Sequence, residues 1–77
     1  MNIKQNPKSI LNDILLTISW KEVANEYFNK SASWFYQRFD NMKVNGKPAS
    51  FTDEELKQLK EALNDIADRI RIASEKL

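Results

Sequence analysis

The sequence has no cysteine, no histidine, one glycine and two prolines in 77 residues. Without cysteine there can be no disulfide and no thiolate metal site. Without histidine, the commonest metal ligand and the commonest general base near neutral pH are missing. A single glycine cannot build a phosphate-cradling loop. No Ser/His or Cys/His nucleophile pair can be assembled either. The carboxylate pairs Glu54–Glu55 and Asp65–Asp68 read as an exposed helix face. The expectation is therefore no enzyme, no cofactor, no metal site and no small-molecule substrate. No apolar run approaches the roughly 18 residues that span a bilayer, and no signal peptide is legible. A soluble, cytoplasmic protein with no membrane partner is expected.

The length fits a single domain over residues 1–77. A domain this small buries only about 60% of the surface its unfolded chain exposes, so its stability margin is thin and a partner subunit would add to it. The net charge is +1, but it is unevenly spread. Residues 1–51 carry seven cations (Lys4, Lys8, Lys21, Lys30, Arg38, Lys43 and Lys47) against four anions. Residues 52–77 carry five cations against seven anions. A basic front with an acidic tail suits nucleic-acid binding by the front, and suits an ordinary charged surface equally well.

The pattern predicts an all-α protein of four helices with no strand. Asn6-Pro7 reads as cap and first position of a helix carrying Ile10, Leu11, Ile14, Leu15 and Ile18 on one face. Ser19-Trp20-Lys21-Glu22 has the form of a capping box, with Ile18 and Val23 as its staple. The second helix then turns Trp20, Val23, Ala24, Tyr27 and Phe28 inward and stops at Asn29, which tolerates the left-handed conformation. A third helix starts at the cap Ser31 and runs to about Asn41, with Phe35, Phe39 and Met42 as its apolar face. Lys43 to Ser50 reads as a loop turning at Asn45-Gly46. Thr52 and Glu55 form a second capping box, stapled by Phe51 and Leu56, and open a long helix over 52–77.

The pair Ser19–Phe28 and Ser31–Asn41 has the proportions of a helix-turn-helix, over about 19–41. Ala24 is the small residue where the second helix of the pair would cross. Ser31, Ala32, Ser33, Tyr36 and Gln37 are left to face outward from the end that meets base edges in such motifs. Trp34-Phe35-Tyr36 span about 200° of the helix, more than one stripe can hold. With Phe35 inward, Trp34 is either core or a stacking partner for Arg38, and Tyr36 could offer its hydroxyl to a phosphate.

The run Val23-Ala24, Tyr27 through Asn41, Asn45-Gly46-Lys47-Pro48 and Phe51-Thr52 is similar to bacterial repressor-type helix-turn-helix segments. It more closely resembles a family of short uncharacterised helix-turn-helix proteins from Bacteroides-type bacteria, over about Ile18 to Ala73. That resemblance implies a helical fold and double-stranded DNA as partner. Asn29 stands where repressors usually have glycine, and Ala32 where many have a long polar residue.

Lys21, Lys30, Arg38, Lys43 and Lys47 are the candidate phosphate contacts. Three or four of them per protomer would give a salt slope of about −3. In the last helix Leu56, Leu59, Leu63, Ile66, Ile70, Ala73 and Leu77 alternate spacings of three and four, an a/d seam. Ala62, Ala67 and Ile72 widen the stripe. The first half can close the core, leaving Leu63, Ile66, Ile70, Ala73 and Leu77 as a dimer interface. The other reading packs the whole stripe on the preceding helices. Asp65 with Arg69 and Asp68 with Arg71 read as surface pairs. The functional expectation is a dimeric DNA-binding regulator or mobile-element accessory factor. Its alternative is a helical interaction module that binds no DNA.

Overall fold

The computed structural model describes residues 7–77, so the expected cap Asn6 and the cation Lys4 lie outside the described residues. Four helices follow in order: α1 (Pro7–Leu11), α2 (Trp20–Phe28), α3 (Ala32–Phe39) and α4 (Asp53–Glu75). A two-stranded ribbon, β1 (Lys43–Val44) and β2 (Lys47–Pro48), lies between α3 and α4.

The first helix is shorter than its apolar spacing predicts. The α-helix stops at Leu11 (φ −89°, ψ 0°), and a 3-10 turn follows over Asn12–Ile14. Asn12, Asp13 and Thr17 are weak helix formers that compete for the backbone with their own side chains. The Leu15 carbonyl, which a continued helix would give to the Ser19 amide, instead accepts the Trp20 indole N–H at 2.8 Å. Leu11 is buried, Ile14, Leu15 and Ile18 pack half-buried against the core, and Ile10 is exposed.

The α2–α3 pair forms as its caps require. The Ser19 hydroxyl accepts the Glu22 amide at 3.3 Å. Glu22 makes no return bond, so only half of the expected box is present. Asn29 takes the left-handed conformation (φ 55°, ψ 41°), and its amide reaches the Ala24 carbonyl. The Lys30 amide reaches the same carbonyl at 3.0 Å. The Ser31 hydroxyl then accepts the Trp34 amide at 3.1 Å and starts α3. Two helices are thus joined by the three residues Asn29, Lys30 and Ser31.

Beyond Phe39 the structure departs from expectation twice. Asn41 has φ 53° and turns the chain out of the helix. Met42 therefore leaves the Phe35/Phe39 stripe and is 52% exposed. The expected loop is a hairpin, in which Lys43 pairs with Pro48 and Val44 with Lys47. Asn45 (φ 54°) and Gly46 (φ 80°) are both left-handed, the requirement of the tight two-residue turn whose twist matches the strands.

Helix α4 opens on a complete capping box. The Thr52 hydroxyl accepts the Glu55 amide at 3.1 Å, and the Glu55 carboxylate accepts the Thr52 amide at 2.9 Å. Its 23 residues make a rod of about 34 Å. Leu59 and Ala62 are buried, and Leu56, Leu63 and Ile66 are half-buried. Every residue from Ala67 onward is exposed. The overhang gives a radius of gyration of 13.8 Å, against about 11 Å for a compact chain of this length.

The core joins Leu11, Trp20, Val23, Ala24, Phe28, Phe35, Phe39, Phe51 and Leu59. Phe35 has no exposed surface. Its ring lies 5.5 Å from Trp20, 5.9 Å from Phe39 and 5.2 Å from Phe51. Ala24 is also fully buried, on the helix that packs most closely on α3. Phe35→Ala should destabilise the chain by about 3–5 kcal/mol through a cavity, enough to abolish folding in a domain this small. Ala24→Leu should cost about 1–3 kcal/mol by overpacking. Urea unfolding followed by far-UV circular dichroism checks both.

Candidate nucleic-acid interface

The buried pair Phe35 and Phe39 fixes the rotation of α3, and so decides which residues it offers to solvent. Ser33 and Tyr36 are exposed, and Ala32 and Gln37 are partly so. Positions 32, 33, 36 and 37 recur at helical spacing and share one face. The Tyr36 ring stands edge-on to Phe35 and Phe39, at 6.0 and 6.4 Å. It remains 39% exposed, and its hydroxyl has no bond among the described residues. Ser31 is exposed, but its hydroxyl is engaged by the helix start.

Trp34 and Arg38 occupy the flank facing α4. Trp34 is half-buried, packing 5.2 Å from Phe28 and 6.1 Å from Phe51. The Arg38 guanidinium sits over its indole at 4.5 Å, so the two sequence readings of Trp34 hold together. Arg38 also donates to the Trp34 carbonyl at 3.4 Å and lies 3.9 Å from the Glu55 carboxylate. Stacking, pairing and half-burial occupy this cation within the fold. Lys30 approaches the same indole at 5.9 Å and is otherwise exposed. Lys21, Lys43 and Lys47 are exposed and make no ion pair among the described residues. The carboxylate nearest in sequence to the hairpin, Asp40, is paired with Lys8 at 3.0 Å.

One polar cluster is absent from the sequence reading. The Tyr27 hydroxyl donates to Asp65 at 2.5 Å and accepts from Arg69 at 3.2 Å. Arg69 also faces Glu26 at 3.6 Å, and the Gln58 amide donates to the Tyr27 carbonyl at 2.6 Å. Asp65 and Arg69 thus meet through Tyr27 and tie α4 to α2, where the sequence suggests a simple pair along one helix. Tyr27 at an inward position carried the missing signal, because a phenol lying against a core needs a partner for its hydroxyl. Asp68 and Arg71 do form the expected pair.

The expected seam of α4 is divided. Leu63 and Ile66 pack against the core, while Ile70, Ala73 and Leu77 are exposed. Two open grooves flank the helix. One, of about 510 Å³, is lined by Pro7, Ile10, Leu11, Leu56, Leu59, Lys60, Leu63 and Asn64. The other, of about 560 Å³, runs between α2 and α4 past Ile18, Val23, Tyr27, Ile66, Ile70 and Ala73. Among the described residues no helix is long and apolar enough to cross a membrane.

Fold and surface together define an all-helical unit in which a helix-turn-helix pair is clamped by a long overhanging helix. The chain belongs to the family described as Domain of unknown function (DUF5053), whose model matches residues 7–77. No curated protein and no solved structure matches it.

Donation to Asp65 raises the Tyr27 pKa above the ordinary phenol value, with burial adding to the rise. The stability contributed by this bond is present below that ordinary value, about pH 10, and is lost as pH climbs through the raised folded value. In the Tyr36→Phe variant, ultraviolet titration of the remaining tyrosine should give an ionisation above the ordinary phenol value. Asp65→Ala should bring it down. A Tyr27 that ionises normally in the folded protein would show the bond to be absent.

Proposed function

We propose that this chain is a small helix-turn-helix DNA-binding module, acting as a homodimer in transcription regulation or as an accessory factor of a mobile element. The observation that carries the reading is α3. It is capped at Ser31 and held in rotation by Phe35 and Phe39. It presents Ser33 and Gln37, which make no ring contact with the core, and the exposed side of Tyr36, whose ring edge packs on Phe35 and Phe39. Side chains of these types on a rigidly held helix suit base edges and sugar-phosphate oxygens in a major groove. Lys21, Lys30, Lys43 and Lys47 would supply the phosphate contacts, and Arg38 keeps its place against Trp34 and Glu55. The resemblance to repressor-type segments, and to helix-turn-helix proteins of Bacteroides-type bacteria, runs in the same direction. A cytoplasmic location goes with it.

The overhang of α4 supports the dimer. Ile70 is 56% exposed and continues the stripe that Leu63 and Ile66 begin. A second copy covering Ile70, Ala73 and Leu77 would remove apolar surface from water, contributing about 25 cal/mol per Å². Two-fold symmetry would then set paired half-sites roughly 34–36 Å apart.

A second reading has its own observation. The groove between α1 and α4 is bounded almost wholly by carbon, as the binding face of a helical interaction module without DNA would be.

In a gel-shift titration against duplex DNA over a series of salt concentrations, log affinity should fall with a slope of about −3 per protomer. A flat response, or no shift at low salt, would favour the interaction module. Light scattering should give a dimer for the wild type and a folded monomer for Ile70→Glu, since position 70 lies outside the core. A monomeric wild type would remove the dimer from the reading.

A further inference from the structure

The hairpin contributes nothing to the core. Residues 41–48 are exposed throughout, and strands of two residues are too short to be stable alone. Yet its root is firmly built. The Met42 amide donates to the Gln37 carbonyl at 2.8 Å, and the Ala49 amide to the Met42 carbonyl at 2.8 Å. The Asn41 side-chain amide donates to the Ala49 carbonyl at 3.0 Å. The ribbon is therefore a fixed projection from the C-terminal end of α3. No carboxylate occurs from Asn41 to Thr52.

Its register distributes the charge. Directly opposed residues of an antiparallel pair share a face, and successive residues alternate. Val44 and Lys47 are paired on one face, Lys43 and Pro48 on the other. The ribbon thus bears one cation on each side instead of two on one side. A flat anionic surface would meet only one of them. A groove with two anionic walls meets both. Both grooves of B-form DNA have that form; with α3 assigned to the major groove, the minor groove, about 6 Å wide, is the one left to the hairpin, whose Asn45-Gly46 tip carries no bulky side chain.

We propose that the hairpin enters the minor groove of duplex DNA with Asn45-Gly46 at its tip, placing Lys43 and Lys47 on phosphates of opposite strands. This rests on the reading of α3 as the major-groove helix and assigns the adjacent groove to the ribbon. The Asn45 amide can donate to the adenine N3 and thymine O2 acceptors that line A·T-rich minor grooves. Gly46 satisfies the left-handed turn, and a Cβ built there meets no atom within 4 Å, so the space beside Gly46 is open.

The test is binding of an A·T-containing duplex of about 30 base pairs over a salt series. It compares wild type, Lys43→Ala, Lys47→Ala, the double variant and Tyr36→Ala, with folding checked by circular dichroism. Each lysine variant should reduce the magnitude of the slope by about 1, and the double variant by about 2. Prior loading of the duplex with netropsin, which fills the minor groove, should weaken the wild type several-fold and the double variant hardly at all. Unchanged slopes in the lysine variants, with binding still lost in Tyr36→Ala, would overturn the hairpin's role and leave α3 standing. An effect from one lysine alone would overturn the two-walled contact. Indifference of the wild type to netropsin would overturn the minor groove as its site. A wild type that binds no duplex would end both readings.

Discussion

Phe35 is met by the rings of Trp20, Phe28, Tyr36, Phe39 and Phe51, which come from α2, α3 and the residue that leads into α4. Burying one such side chain contributes about 1.5–3 kcal/mol, and each well-set aromatic pair adds about 0.5–1.5 kcal/mol. In a domain with so little interior, these contacts join elements that have few other reasons to assemble. They also set the rotation of α3. Which residues of that helix face water follows from how one phenyl ring is seated, so the proposed reading face is a by-product of the core.

Helix α4 divides its work along its length. Its first turns, with Phe51 just before them, close the core through Leu56, Leu59 and Ala62. Its middle is secured to α2 by the polar tie of Tyr27 with Asp65, Arg69 and Gln58. That tie is directional where apolar packing is not, and it fixes the azimuth at which the remaining turns leave the domain. Ile70 and Ile72 are exposed there, while the helical backbone continues from a well-capped start.

Much of this was legible in residues whose effect is local. Ser31, Asn29 and the Thr52–Glu55 box act within a few positions of themselves, and the structure places caps and a left-handed stop where they stand. The seats of Phe35 and Phe39 followed from spacing. The failures involve partners remote in sequence or competition within a segment. The apolar series from Ile10 to Ile18 had helical spacing, but Asn12 and Asp13 and the demand of the Trp20 indole broke its ladder. The Tyr27 cluster joins residues 38 and 42 positions apart, beyond what spacing within one helix can show. Arg38 was legible as a stacking partner of Trp34, but its pairing with Glu55 needs the approach of α4. The hairpin is different: Asn45-Gly46 carries the signal for a two-residue turn, but its flanks read as loop because they lack alternating apolar residues.

Among the described residues the left-handed positions are the asparagines 29, 41 and 45 and Gly46. Asparagine bears that conformation at some steric cost, which glycine avoids. In exchange, it roams less widely when the chain is unfolded, so less disorder is surrendered on folding. The two bends that frame α3 are therefore stiff corners, not swivels. Helix α3 and its neighbours should move as one piece, and any adjustment to a partner has to come from side chains or from the position of the whole unit.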